Sequence, residues 1–249
     1  MYDNENEYIV EGRNAVLEAL KSDREINKML VQKGEKNGSI NSIISLAKQR
    51  GIVIVETEKS KLDAISSTGH HQGVIIYTSP QKYCEVEDIL NIAKKKNEDP
   101  FIVILDEIED PYNLGSIIRT CEVAGVHGVI IPKRRSALIT GVVEKVSVGA
   151  TNYLPIARVT NLAQTIESLK KENVWIIGTD MDAPNVQYNT DLTGAVALVI
   201  GSEGKGMGRL IKDKCDLLIK IPMFGKVTSL NAGVSAGICI YEVVRQRDK

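Results

Sequence analysis

Apolar and polar positions alternate along the chain in two regimes, a run of short elements up to residue 79 and a longer alternation from residue 101. In the first, Val16, Leu17 and Leu20 share one face of a helix over 13–20. Residues 26–31 form an apolar strand pattern, and 40–49 a helix closed by Gly51. A strand over 52–55, a short helix over 59–65 and a strand over 74–78 complete a small α/β unit. Ser79-Pro80 ends it, because proline biases the preceding residue away from helix. Residues 80–99 read as a linker with one helix over 86–95, whose Lys94-Lys95-Lys96 run suits a solvated helix face better than a phosphate site.

From Phe101 the pattern predicts strands over 101–105, 128–131, 174–179, 195–200 and 217–221. Helices are predicted over 114–124, 140–147, 162–171 and 232–247. A near-continuous apolar strand such as 195–200 is what a parallel sheet covered on both faces requires. The expected fold class is therefore α/β, with domains at 1–79 and 100–249 and no internal repeat.

Composition narrows the function less than the motifs do. At 249 residues the chain should hold one or two domains with real cores. Its net charge of −1 gives no global cationic field, although a local basic patch suffices for phosphate contacts. Cys84, Cys121, Cys215 and Cys239 are far apart and read as reduced, small hydrophobes. His70, His71 and His127 lack cysteine or carboxylate partners at ligand spacing, so no metal is expected. The polar start, Met1 to Glu7, is neither a signal nor a transit peptide. No apolar run approaches the roughly 18 residues of a membrane span. These features predict a soluble, cytoplasmic protein without a membrane partner.

Three segments carry candidate chemistry. The predicted strand at 195–200 runs into Gly201-Ser-Glu-Gly-Lys-Gly-Met-Gly208. A dinucleotide fingerprint starting at Gly204 fails because Arg209 stands where glycine is needed. The P-loop spacing fails as well, and Glu203 would repel a phosphate. A glycine loop with one acid suits a cationic, hydroxyl-rich ligand such as S-adenosylmethionine, or else a tight turn with a surface glutamate. Near the C-terminus, Ser229 and Asn231 sit where a helix should begin, as caps or as functional groups. Small residues follow at Ala232, Gly233, Ser235, Ala236 and Gly237, so backbone or ligand can approach closely. In the third segment Asn113 lies beside a helix start, and Arg119 follows one and a half turns later among Ile117, Ile118 and Cys121. An arginine on so apolar a helix usually meets an anion.

Together these segments resemble one family. Asn113-x-Gly115-x-x-x-Arg119, Gly201-x-Glu203-Gly204-x-Gly206 and Ile221-Pro-Met-x(5)-Ser229-Leu-Asn231 are similar to the three motifs of the SpoU/TrmH class of SPOUT RNA 2′-O-ribose methyltransferases. Glu11-Gly-Arg-Asn-Ala-Val-Leu-Glu-Ala-Leu20, His71-Gln-Gly73 and Val146-Ser-Val-Gly-Ala150 resemble the subgroup that methylates a guanosine in bacterial 23S rRNA. The resemblance covers essentially the whole chain.

It implies a trefoil-knotted parallel-sheet domain preceded by an L30e-like domain that helps hold RNA, and a homodimer with the acceptor site built across its interface. S-adenosylmethionine would be held by the loops around Thr179, Gly201, Ile221, Met223 and Leu230. The implied catalytic set is Asn113, Arg119, Glu203, Ser229 and Asn231. The family gives Arg119 the task of removing the 2′-OH proton. A guanidinium is permanently protonated in proteins, so we read Arg119 as pairing with an RNA phosphate and orienting the hydroxyl. Glu203 would hold Arg119 or Ser229. Lys133, Arg134 and Arg135 follow a strand end, where α/β sheets commonly bind ligands, and with Arg13 they are the candidate RNA contacts. Ribosomal RNA is preferred over tRNA by analogy with the longer N-terminal unit. A tRNA methyltransferase and a non-catalytic RNA-binding or ribosome-assembly protein are the alternatives.

Overall fold

The structure, a computed structural model, describes residues 9–22, 25–34, 38–66, 68–79 and 82–248; the acidic start at 1–8 and Pro80 fall outside them. The chain divides into two compact units, one of residues 1–82 with 138–142 and the other of 83–137 with 143–249.

The first unit runs β1 (Ile9–Glu11), α1 (Arg13–Lys21), β2 (Ile26–Gln32), α2 (Ser39–Gln49), β3 (Val53–Thr57), α3 (Lys59–Ile65) and β4 (Val74–Thr78). Its sheet has the order β1-β4-β2-β3, with only the β2–β3 pair parallel. The period-two alternation decides what packs where. Met29, Val31, Val74 and Ile76 meet Val16, Leu20, Ile40 and Ile43 of α1 and α2, while Leu30 and Ile75 on the other face meet Leu62 of α3. His71 is buried, and its Nδ1 accepts from the Gly73 backbone N–H at 3.0 Å, just before β4.

The second unit contains α4 (Val86–Lys96), β5 (Phe101–Leu105), α5 (Pro111–Val123), β6 (Gly128–Pro132), most of α6 (Gly141–Val146, whose first two residues fall in the first unit), β7 (Ile156–Val159), α7 (Leu162–Lys171), β8 (Trp175–Thr179), β9 (Asn185–Val186), β10 (Val196–Ile200), α8 (Arg209–Lys214), β11 (Leu217–Lys220) and α9 (Ala232–Arg247). Its seven strands form one sheet, ordered β7-β6-β5-β10-β8-β11-β9 and parallel throughout. Ile102, Ile104, Ala197 and Val199 join Ile89 of α4, Ile166 of α7 and Ile211 of α8 in one core. The alternate residues Val103, Leu105, Leu198 and Ile200 are buried too. The sheet is therefore apolar on both faces, as its continuous strands required.

Two helices depart from the sequence expectation. α4 does not merely connect, since it buries Ile89 and Ala93 in the second unit's core. α5 begins at Pro111 rather than 114, because Asp110 caps it by accepting from the backbone N–H groups of Tyr112 (3.2 Å) and Asn113 (3.1 Å). β7, β9 and α8 were not anticipated.

α9 packs on α5 and β10. Of its small residues, Gly233 has the closest approach to α5, where a Cβ would lie 3.2 Å from Ser116 Oγ. The far end of α9 is tied down. Arg247 donates to the carbonyls of Asp99 (3.0 Å), Pro100 (3.1 Å) and Gly194 (2.6 Å), and its guanidinium lies 5.1 Å from the Phe101 ring centroid. All four cysteines are free thiols, and burial pushes Cys215 up to about 12. Among the described residues no helix is long and apolar enough to cross a membrane.

Candidate active site

In the second unit, β5 and β10 are neighbours, but the chain after β5 goes on to β6 while the chain after β10 goes on to β11 on the other side. Such a divergence opens a crevice beyond the carboxyl ends of the strands, the usual ligand position in a parallel α/β sheet. Here the three motifs meet.

One pocket sits at the ends of β8, β10 and β11, with about 620 Å³ of space including its open mouth. All five residues read from the sequence as cofactor contacts line it: Thr179, Gly201, Ile221, Met223 and Leu230. Glu203 and Ser229 line it as well. Sequence reasoning missed Asp180 and Met181, in the loop after β8. Asp180 accepts from Lys212 Nζ of α8 at 2.7 Å and from the Asp182 backbone N–H at 2.9 Å, which fixes that loop as a wall.

The glycine loop makes the opposite wall. Ser202 and Gly206 exchange backbone hydrogen bonds of 3.0 and 2.9 Å, with Gly204 and Gly206 at positive φ. The fold-back depends on Gly201, where a Cβ would lie 2.3 Å from Gly206 C and Met207 N. At the loop's end the Gly208 N–H donates to Asp106 Oδ2 at 2.7 Å. Asp106 is buried, and that burial raises its carboxyl above the ordinary value.

Asn231 joins the motifs. As the N-cap of α9, its Oδ1 accepts from the backbone N–H of Gly233 (2.9 Å) and Val234 (3.3 Å). Its Nδ2 donates to Asn113 Oδ1 at 2.9 Å and to Glu203 Oε2 at 3.3 Å. Glu203 is thus held by Asn231, and no described contact links it to Arg119 or Ser229. Ser229 precedes the cap by two residues and does not cap the helix. Arg119 is exposed on α5 with no hydrogen bond or ion pair among the described residues.

The basic candidates separate. Lys133, Arg134 and Arg135 follow β6, where Arg135 Nη1 donates to Glu107 Oε1 at 2.8 Å. Arg134 and Arg135 border another, open depression beside Asn161. Arg13 belongs to the first unit, where its Nε donates to the Gln72 carbonyl at 3.1 Å. Among the described residues no three His, Cys, Asp or Glu side chains are grouped as a metal site.

The main pocket combines apolar walls (Met181, Ile219, Ile221, Leu230) with hydroxyls (Thr179, Thr228, Ser229) and the acid Glu203. S-adenosylmethionine fits that chemistry, with a flat adenine for the apolar walls, ribose hydroxyls for the polar groups and a positive charge for the acid.

Known proteins resemble this chain in sequence and fold. A sequence profile described as the SpoU rRNA Methylase family matches residues 100–241, and another, described as RNA 2′-O ribose methyltransferase substrate binding, matches residues 9–84. A Bacillus subtilis protein named as a TrmH family tRNA/rRNA methyltransferase, YacO, is 50% identical over 244 residues, covering 98% of this chain and 97% of its own. The SpoU methyltransferase AviRb from Streptomyces viridochromogenes, solved with AdoMet, superposes with a TM-score of 0.62 at 23% identity, over 96% of this chain and 90% of that one. An AdoMet-bound rRNA methyltransferase from Sinorhizobium meliloti gives 0.59 at 24% identity, over 96% of this chain and 87% of its own. A TrmH/SpoU tRNA modifying enzyme from A. aeolicus gives 0.55 at 29% identity, over 60% of this chain and 76% of its own.

Proposed function

We propose, because this chain belongs to the SpoU rRNA methylase family, that it methylates a ribose 2′-oxygen of 23S rRNA, at a guanosine. As a family member it is an S-adenosylmethionine-dependent RNA methyltransferase. The 2′-O position is supported by the description of the profile that matches residues 9–84. Ribosomal RNA is favoured because the rRNA methyltransferase aligns with 96% of this chain and the tRNA-modifying enzyme with 60%. In this reading the first unit is the L30e-like domain that holds RNA, the pocket loops are the trefoil-knotted segment, and the protein works in the cytoplasm.

The observation that carries the reading is the Asn231 amide, which binds one residue from each of the other two motifs. An amide has two donor hydrogens and two acceptor lone pairs, and all four are used here. Asn231 is therefore a positioning residue that keeps Asn113 and Glu203 at the mouth of the pocket. Thr179, Gly201, Ile221, Met223 and Leu230 would hold the cofactor, which when bound supplies an electrophilic methyl group. A 2′-OH is a poor nucleophile until its proton is removed or polarised. Arg119, exposed and unpaired, meets a phosphate of the acceptor strand and orients the hydroxyl, while Ser229 lines the approach. Lys133, Arg134, Arg135 and Arg13 contact phosphates further along. A second copy covers the exposed Val234, Ile238 and Tyr241, spaced along one side of α9, and completes the acceptor site.

The test is transfer of a radiolabelled methyl group to unmodified 23S rRNA and, separately, to bulk tRNA, with Arg119→Ala as control. Label in 23S rRNA that vanishes in the variant is expected. Label in tRNA alone would overturn the substrate assignment, and label in neither would overturn the proposed activity on 23S rRNA. Near-wild-type turnover of Arg119→Lys would sink the geometric role, since lysine keeps the charge but loses the planar fork.

A further inference from the structure

We infer that Phe224 is a stacking platform for the RNA base next to the acceptor nucleotide, an inference that rests on the RNA methyltransferase reading above. The chain has two phenylalanines. Phe101 is 2% exposed in the core, whereas Phe224 is 95% exposed at the tip of the loop between β11 and α9. No packing among the described residues accounts for it, and an aromatic ring left wholly in water forfeits the large apolar area it could bury.

Its position suggests what covers it. Met223 immediately before it and Thr228 to Leu230 after it line the pocket, so the ring stands on the pocket's rim. Gly225 beside it has open space, since a Cβ there would meet nothing within 4 Å. Lys226 on the same loop and Lys205 on the glycine loop are exposed, with no ion pair among the described residues. A strand that delivers a ribose 2′-oxygen into the pocket carries its neighbouring nucleotide across this rim. Unstacked RNA bases are held on exposed aromatic faces, with cations such as Lys226 of the same loop available to the phosphates.

The test compares Phe224→Ala, Phe224→Leu and Phe224→Trp with the wild type. The measurements are methyl transfer to unmodified 23S rRNA, equilibrium binding of that RNA by fluorescence anisotropy, S-adenosylmethionine binding by calorimetry, and sedimentation. The alanine variant should raise the KM for RNA and weaken RNA binding about tenfold or more, the loss typical of a base–aromatic stack. Cofactor affinity and sedimentation should not move. Tryptophan should hold wild-type values, and leucine should follow alanine because it has apolar area but no π face.

Wild-type behaviour of the leucine variant, or dissociation of an oligomer by alanine, would overturn the inference in favour of contact with a second copy of the chain. Weakened cofactor binding would assign Phe224 to the pocket itself. Unchanged RNA binding across the series would also overturn it. Failure of the wild type to methylate either RNA would instead count against the functional reading, and the anisotropy series would still decide the role of Phe224.

Discussion

Replacing Asn231 separates two duties that one side chain performs. Asn231→Ala removes the cap of α9 together with the bonds to Asn113 and Glu203. Asn231→Asp keeps an oxygen for the backbone N–H groups of Gly233 and Val234 but has no hydrogen to donate. Losing a cap costs about 1 kcal/mol, which in a unit of this size lowers Tm by roughly 2–4 °C. In the aspartate variant the new charge gains up to about 1 kcal/mol from the helix N-terminus. It loses about the same facing the Glu203 carboxylate in a water-like surrounding, so Tm should stay close to wild type. Activity should fall in both. The two lost bonds, one neutral and one to a carboxylate, both near the surface, are together worth about 2 kcal/mol, roughly a 30-fold loss in kcat/KM. Calorimetric melting and radiolabelled methyl transfer on the same preparations test this. An aspartate variant with wild-type kcat/KM would refute the positioning role, leaving Asn231 as a cap alone.

Other perturbations address the walls and the fold. Gly201→Ala should abolish S-adenosylmethionine binding in a calorimetric titration, because its Cβ would meet loop backbone at 2.3 Å and the fold-back must open; binding at wild-type affinity would mean that the loop is no wall. Lys212→Met should weaken cofactor affinity severalfold by freeing the Asp180 loop, and Lys212→Arg should largely restore it; equal affinity in all three would remove the pair from the site's construction. Burial holds His127 below its ordinary 6.5 despite the nearby Glu98, and its Nδ1 accepts from the Phe101 N–H at 2.9 Å. The neutral ring therefore contributes stability above about pH 6.5 that is lost as pH falls from there through the lowered native value. Urea unfolding of the wild type should grow easier between pH 7.5 and 5.5, and His127→Gln should flatten that slope; parallel slopes would contradict it.

What the sequence revealed follows from how far each signal reaches along the chain. Strands such as β5 and β10 announce themselves because both faces are apolar. β7 does not, since Arg158 breaks its run, and β9 has only two residues to show. α8 is six residues with four charges, too short for an apolar period. The start of α5 was readable: an acid followed by proline is a cap and first-turn signature, and Asp110-Pro111 carries it. The site residues were legible as motifs, but their pairings were not. That Asn113 meets Asn231 depends on the approach of α5 to α9, which no local pattern reveals. Asp180 and Met181 follow a strand without any local pattern, and the ion pair to α8 that helps hold them is a contact no sequence spacing shows.

The anchoring of α9 has a consequence for mutational surveys. Its sixteen residues span about 24 Å, from the Asn231 cap to the Arg247 clasp over the opposite end of the sheet. The helix is thus a strut with two abutments, one of which sets where the active-site amide stands. Distance from the reacting atoms would rank position 247 among the safe places for substitution or fusion. A strut loosened at one footing shifts at the other, so changes there should appear as lost alignment at the mouth of the pocket, far from the altered residue.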